Sequence, residues 1–252
     1  MAEFYAPFLQ SLCGSVSGIT ALCVSALGQD VDADSHGQTG EKLLADSGEP
    51  ILPTGRTQIL GSAKSYYALQ DQIALQTRAL RLLQDSLPPS APLFVFGHSV
   101  GGYIALQLLR TNKAVRGLYL LFPTVSYIAR TPRAHSLRLA LTPWGAWLIQ
   151  SVAGILTLLP LAWVCVLVSC LTGMDARSAN VTARFVTGHN APWNALCMAM
   201  DEMKTITSIP PDLREYMEQH RTIVRAYWSQ GDSVRGSSHA GHLGSVVAPQ
   251  AC

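Results

Sequence analysis

The stretch Phe94–Leu109, FVFGHSVGGYIALQLL, constrains this chain more than any other. A short apolar run ends in Gly97-His98-Ser99-Val100-Gly101 and passes straight into a helix-like run beginning at Gly102. Gly-x-Ser-x-Gly at a strand-to-helix seam is the pattern of a nucleophile elbow. The physics is steric. A turn that tight lifts Ser99 Oγ clear of the sheet, and only small residues are expected two positions to either side, hence Gly97 and Gly101. The helix that starts there points free N–H groups and its positive end at the serine, so the Val100 amide is expected to be an oxyanion donor. His98 should point away from Oγ, as a supporting residue rather than a base. A structural Gly-Ser turn or a phosphate-binding turn fits the same five residues. The phosphate reading is weaker, since no P-loop lysine or GxGxxG follows.

The surrounding pattern is α/β. Tyr67 to Gln84 carries apolar residues at helical spacing and stops at Pro88-Pro89. Residues 91–99 then read as a buried strand, 101–111 as a helix and 115–124 as a second continuous apolar strand. Strand, helix, strand with short connections predicts a doubly wound, mostly parallel sheet covered on both faces. Earlier, residues 4–16 have helical spacing, 18–27 could form a strand, and 28–56 read as a long surface loop. Later, 194–226 look helical with a break at Pro210-Pro211, and 222–232 read as a last strand ending at Asp232. The tail 235–252 has no periodicity and is expected to be disordered. One domain over 1–252 is the simplest organisation.

A nucleophilic serine needs a base and an orienting acid, in the order Ser, Asp/Glu, His for a sheet of this kind. Asp232, at the end of an apolar strand, suits the acid; an ordinary turn aspartate is the alternative. Only His239 and His242 follow it. His239 lies seven residues on, too close for an intervening helix and strand, so it can serve as base only if the tail folds back as a loop.

The chain is 48% hydrophobic, 13% charged and formally +2. That charge is small and forms no Lys/Arg-rich block, which sets nucleic-acid binding aside. The six cysteines include no CxxC, and no metal or organic cofactor is implied. The first residues lack a basic segment and carry Glu3, unlike a signal peptide.

Leu139 to Met174 runs 36 residues without a charge. It can be a buried cap, a single span centred on Val152–Leu171, or a monotopic hairpin turning at Pro160. Ser99 and Asp232 flank this segment in sequence, and one site cannot straddle a bilayer. A surface-embedded cap or hairpin is therefore expected, with Trp144, Trp147 and Trp163 at the interface.

Several segments, in order, resemble the lipid droplet-associated serine hydrolases, a branch of the α/β hydrolases. They are EFYAPFLQSL, DSHGQTG (carrying over Ser35 and His36), YALQDQI, FGHSVGGYIALQLL, LYLLFPTV, more loosely ARTPRAHSL, and AYWSQGD. The resemblance covers roughly residues 3–234. It implies an α/β-hydrolase fold with a hydrophobic insertion, and hydrolysis of a lipid ester (sterol or acylglycerol) at a lipid-droplet or endoplasmic-reticulum surface on its cytosolic face. Contact with that surface would run through Trp144–Leu171. The family's Gly-Asn-Pro-Gly loop, a second oxyanion donor, would precede Phe4-Tyr5, and its His-Ala loop would follow a late helix. Neither has a counterpart here, so the chain reads as a member clipped at both ends. A non-catalytic lipid-surface protein is the rival expectation, and an acyltransferase or thioesterase a third.

Overall fold

A computed structural model describes residues 2–29, 52–59, 62–125, 140, 142–188 and 190–227. Among them are eight α-helices, a short 3-10 turn and five strands. The chain divides into two compact units, Met1–Leu75 with Ser136–Asp201, and Gln76–His135 with Glu202–Cys252.

The second unit carries the parallel sheet. Strands β3 (Leu93–His98), β4 (Val115–Leu121) and β5 (Val224–Tyr227) pair in that order, all parallel. Parallel neighbours need a crossover, and helix α3 (Val100–Thr111) supplies the first. It buries Tyr103, Ile104, Leu106, Leu108 and Leu109 and packs on β3 and β4. Leu118 and Leu120 of β4 are fully buried. Phe94, Phe96 and His98 are exposed along one face of β3, the end strand of the three among the described residues. Phe96 stacks on Tyr119 at 4.8 Å between ring centroids instead of lying under a helix. Helix α8 (Pro211–Gln219) begins at the expected Pro-Pro break and is tied to α3 by the Arg110–Asp212 ion pair and by the Tyr216 hydroxyl donating to Leu109 O.

In the first unit, α1 (Ala6–Ser15) matches the early helical pattern. The strand expected at 18–27 does not form. At Leu27, the end of that stretch, side chains supply the backbone's partners. Leu27 N–H donates to Gln72 Oε1, and Leu27 O accepts from Gln72 Nε2 and Asn194 Nδ2. Asn194 Oδ1 also accepts from Tyr67 N–H. Gly28, at φ +69, has no room for a Cβ, which would overlap the Asn194 amide. The long-loop reading of 28–56 also needs correction at its end. Strand β1 (Gly55–Ile59) pairs antiparallel with β2 (Ser62–Tyr66), a hairpin with a two-residue connection. The pattern there alternates too weakly to announce it.

Helix α2 (Leu69–Ser86) ends just before Pro88, near the predicted limits. In helix α7 (Ala191–Thr205), Trp193 and Cys197 pack with Ala146 in the first unit.

The charge-free segment forms two helices, α4 (Pro143–Leu156) and α5 (Leu161–Thr172). Pro143 opens α4 behind a Thr142 cap that accepts from Gly145 N–H. Pro160 cannot continue a helix, and Gly173 closes α5 in the left-handed conformation. At 1.5 Å per residue the two are about 21 and 18 Å long, short of a 30 Å hydrocarbon core. Among the described residues no single helix is long and apolar enough to cross a membrane. The pair α5 and α6 (Ala176–Thr187), bent by 114°, passes that test together. Both α4 and α5 rest on α6. Asp175 caps α6 by accepting from Arg177 and Ser178 N–H, and the Ser178 hydroxyl bond holds its carboxyl below the usual range.

Removing the Asn194 amide would leave the Tyr67 N–H without its acceptor and take one donor from Leu27 O, both beside buried core. Asn194→Ala should therefore lower stability by about 1–3 kcal/mol, read as an earlier urea midpoint. An unchanged midpoint would show that the clamp contributes nothing.

Candidate active site

Ser99 sits where β3 becomes α3, at φ 54 and ψ −125. An L-residue rarely adopts positive φ. Ser99 and Phe122 (φ 46) are the two non-glycine cases among the described residues. Three hydrogen bonds hold the Ser99 backbone. Its N–H donates to Leu121 O at 3.1 Å, and its carbonyl accepts from Gly102 N–H at 2.9 Å and Thr124 N–H at 3.0 Å. The turn therefore leans on the segment after β4, not only on its own helix.

The glycines divide in a way the sequence did not anticipate. A Cβ on Gly97 would lie 2.4 Å from Gly101 O and 2.8 Å from Gly102 Cα, so residue 97 has to be glycine. A Cβ on Gly101 would meet open space. The steric requirement assigned to Gly101 falls on Gly102, where a Cβ would lie 2.6 Å from Pro123 Cβ.

Ser99 occupies the cap position of α3 without using its side chain as a cap. The hydroxyl is therefore not committed to the helix. Val100 is the first residue of α3, and the first amides of a helix have no partner within it. Ser99 Oγ lies 3.2 Å from Thr124 Oγ1, with either hydroxyl able to donate. Both residues are half-buried. Thr124 was visible in the sequence as part of Leu-Phe-Pro-Thr, yet nothing in its spacing marked it as a neighbour of the serine.

His98 is exposed, its ring edge-on to Phe122 at 6.1 Å between centroids. His220 stacks on Tyr216 at 4.0 Å, with Nδ1 2.9 Å from the Tyr216 carbonyl. Asp232, His239 and His242 lie outside the described residues, as do Ser35 and His36. β5 runs parallel to β3, so its Tyr227 end lies at the same carboxyl edge as Ser99, and Tyr227 O accepts from Phe122 N–H at 2.8 Å. Asp232 follows five residues on. Ligands of open parallel sheets bind at this edge. Among the described residues, no group of three or more His, Cys, Asp or Glu could hold a metal ion.

These contacts separate the two elbow glycines experimentally. Gly97→Ala should destabilise the protein by more than about 2 kcal/mol, through overlap with backbone that cannot move aside. Gly101→Ala should stay within about 1 kcal/mol, since alanine suits a helix. Thermal midpoints of the two variants provide the comparison; equal losses would contradict the geometry.

A family model described as lipid-droplet associated hydrolase matches residues 1–247. The chain is also similar to two proteins named lipid droplet-associated hydrolase. The one from Pongo abelii is 31% identical over 161 residues, 63% of this chain and 44% of that protein. The one from Homo sapiens is 32% identical over 121 residues, 46% of this chain and 35% of that protein. The matched stretches thus span less than half the length of either relative. With its elbow serine at the carboxyl edge of a parallel sheet and a family match along almost all its length, the chain belongs to the lipid-droplet associated hydrolase family.

Proposed function

We propose that this chain is a serine ester hydrolase acting on a lipid ester, a sterol or acylglycerol ester, at the surface of a lipid droplet or the endoplasmic reticulum, on the cytosolic side. The observation that carries this reading is the backbone of Ser99. A non-glycine residue at φ 54, fixed by three hydrogen bonds and ahead of an uncapped helix, is what exposing a nucleophile requires. We read the whole chain as a doubly wound α/β hydrolase with the helices α4 and α5 as its hydrophobic insertion.

The chemistry follows from the groups available. Ser99 Oγ attacks the ester carbonyl carbon and passes its proton to a histidine, for which His239 is the candidate. Asp232 holds that imidazole in its productive tautomer and stabilises its cation. The carbonyl oxygen becomes an oxyanion facing the Val100 N–H and the positive end of α3. Collapse of the intermediate breaks the C–O bond, and the departing alcohol takes the proton from the imidazolium. Water, deprotonated by the same histidine, then releases the fatty acid and regenerates Ser99.

Attachment to lipid rests on a separate observation. Leu158, Leu171 and Trp163 are 81%, 77% and 68% exposed, and Trp144, Val152, Ile155 and Val166 are exposed as well. So many exposed large apolar side chains on one charge-free segment suit an interaction site rather than a core. Helices too short to span but apolar on their outer faces suit shallow insertion beneath a phospholipid monolayer, with tryptophans at headgroup depth. Such attachment keeps an enzyme beside substrates that barely dissolve.

Two measurements test the two halves. A fluorophosphonate probe should label the wild type and fail to label Ser99→Ala; absence of labelling in well-folded wild type would favour the non-catalytic lipid-surface role. Flotation with phosphatidylcholine-coated triolein droplets should recover the wild type. The triple variant Leu158→Asp, Trp163→Asp, Leu171→Asp should be recovered at least tenfold less, and equal recovery would defeat the lipid-contact reading.

A further inference from the structure

The three backbone bonds at Ser99 fix its peptide but leave its side chain one rotation, about χ1. A serine hydroxyl has three staggered wells, and only one can aim Oγ at a substrate carbonyl. The group that meets Oγ is Thr124 Oγ1, at 3.2 Å. We infer that Thr124 is a positioning residue for the nucleophile, donating its hydroxyl proton to a lone pair of Ser99 Oγ and holding it in the attacking rotamer. This rests on the reading of Ser99 as nucleophile.

Thr124 is itself held in place. Its N–H donates to the Ser99 carbonyl at 3.0 Å. Pro123 before it is buried against Gly102, closely enough that no Cβ fits there, and Val125 after it is buried. Phe122, at φ 46, is anchored by its N–H bond to Tyr227 O. The threonine hydroxyl therefore sits on backbone held by hydrogen bonds at Phe122 and Thr124, the condition for orienting another group. Threonine also has two heavy atoms on Cβ, so its own χ1 is stiffer than that of serine. The direction of the bond follows from the chemistry. In the reacting state the Ser99 proton goes to the base, so Thr124 has to be the donor. Its proton then lies on a lone pair that the attack does not use.

Thr124→Val keeps the branched shape and removes the hydroxyl; Thr124→Ser keeps the hydroxyl. The second-order rate of fluorophosphonate labelling reads the reactivity of Oγ directly, without a known substrate. Thr124→Val should react about tenfold more slowly than wild type, Thr124→Ser within about threefold of it, and the thermal midpoint of Thr124→Ser should stay at the wild-type value. The rescue by serine separates positioning from a packing role, in which Thr124→Val would be the milder change. Wild-type rates in Thr124→Val, or equal losses in both variants, would overturn the inference while leaving Ser99 as nucleophile. A wild type that does not label at all would overturn the nucleophile reading and this inference with it.

Discussion

Ser99 holds a backbone conformation that costs an L-residue about 1–3 kcal/mol, and the parallel-sheet unit is arranged around keeping it there. Three hydrogen bonds at about 0.5–1.5 kcal/mol each are of the size needed to offset that cost. Two of them reach across to Leu121 and Thr124, so the turn after β3 depends on the end of β4 being in place. The end of β4 depends in turn on β5, through the Phe122 N–H and the Tyr227 carbonyl. Gly97 is required because β3 and the start of α3 approach to contact, and Gly102 because Pro123 lies against it. The chain of constraint thus runs along the carboxyl edge of all three strands, where a substrate would meet the serine.

The apolar helices obey a different logic. Nothing in α4 or α5 carries charge, and their buried residues are few and mostly small: Ala146, Ala153 and Val164. Large side chains point outward instead. In a water-facing helix that pattern would be costly, at roughly 25 cal/mol for each Å² of apolar surface left wet. The same surface becomes favourable against lipid. Pro160 divides the segment into helices of 14 and 12 residues.

Much of this was legible in the sequence. The elbow, the strands on both sides of it, the helix ending before Pro88, the break at Pro210-Pro211 and the turn at Pro160 were each announced by local signals. Those signals are periodicity, glycine spacing and proline. What was not legible depended on contacts distant in sequence. The region 18–27 has the composition of a strand, but it forms none, and at its end Gln72 and Asn194 hold the backbone of Leu27. The β1–β2 hairpin is polar and weakly alternating. The requirement at Gly102 instead of Gly101 comes from Pro123, more than twenty residues away, and the same holds for the pairing of Ser99 with Thr124. The exposure of Phe94 and Phe96 is likewise a matter of what packs on that face of β3, which no reading of one strand reveals.

The central claim is that Ser99 is an activated nucleophile that forms an acyl-enzyme. Rapid mixing with a p-nitrophenyl ester, followed by acid quench and peptide mapping by mass spectrometry, tests it most directly. The account predicts a nitrophenol burst of about one equivalent per chain and an acyl adduct on Ser99, in the peptide that carries Phe94–Leu109. Turnover without a burst, or an adduct on another residue, would contradict it.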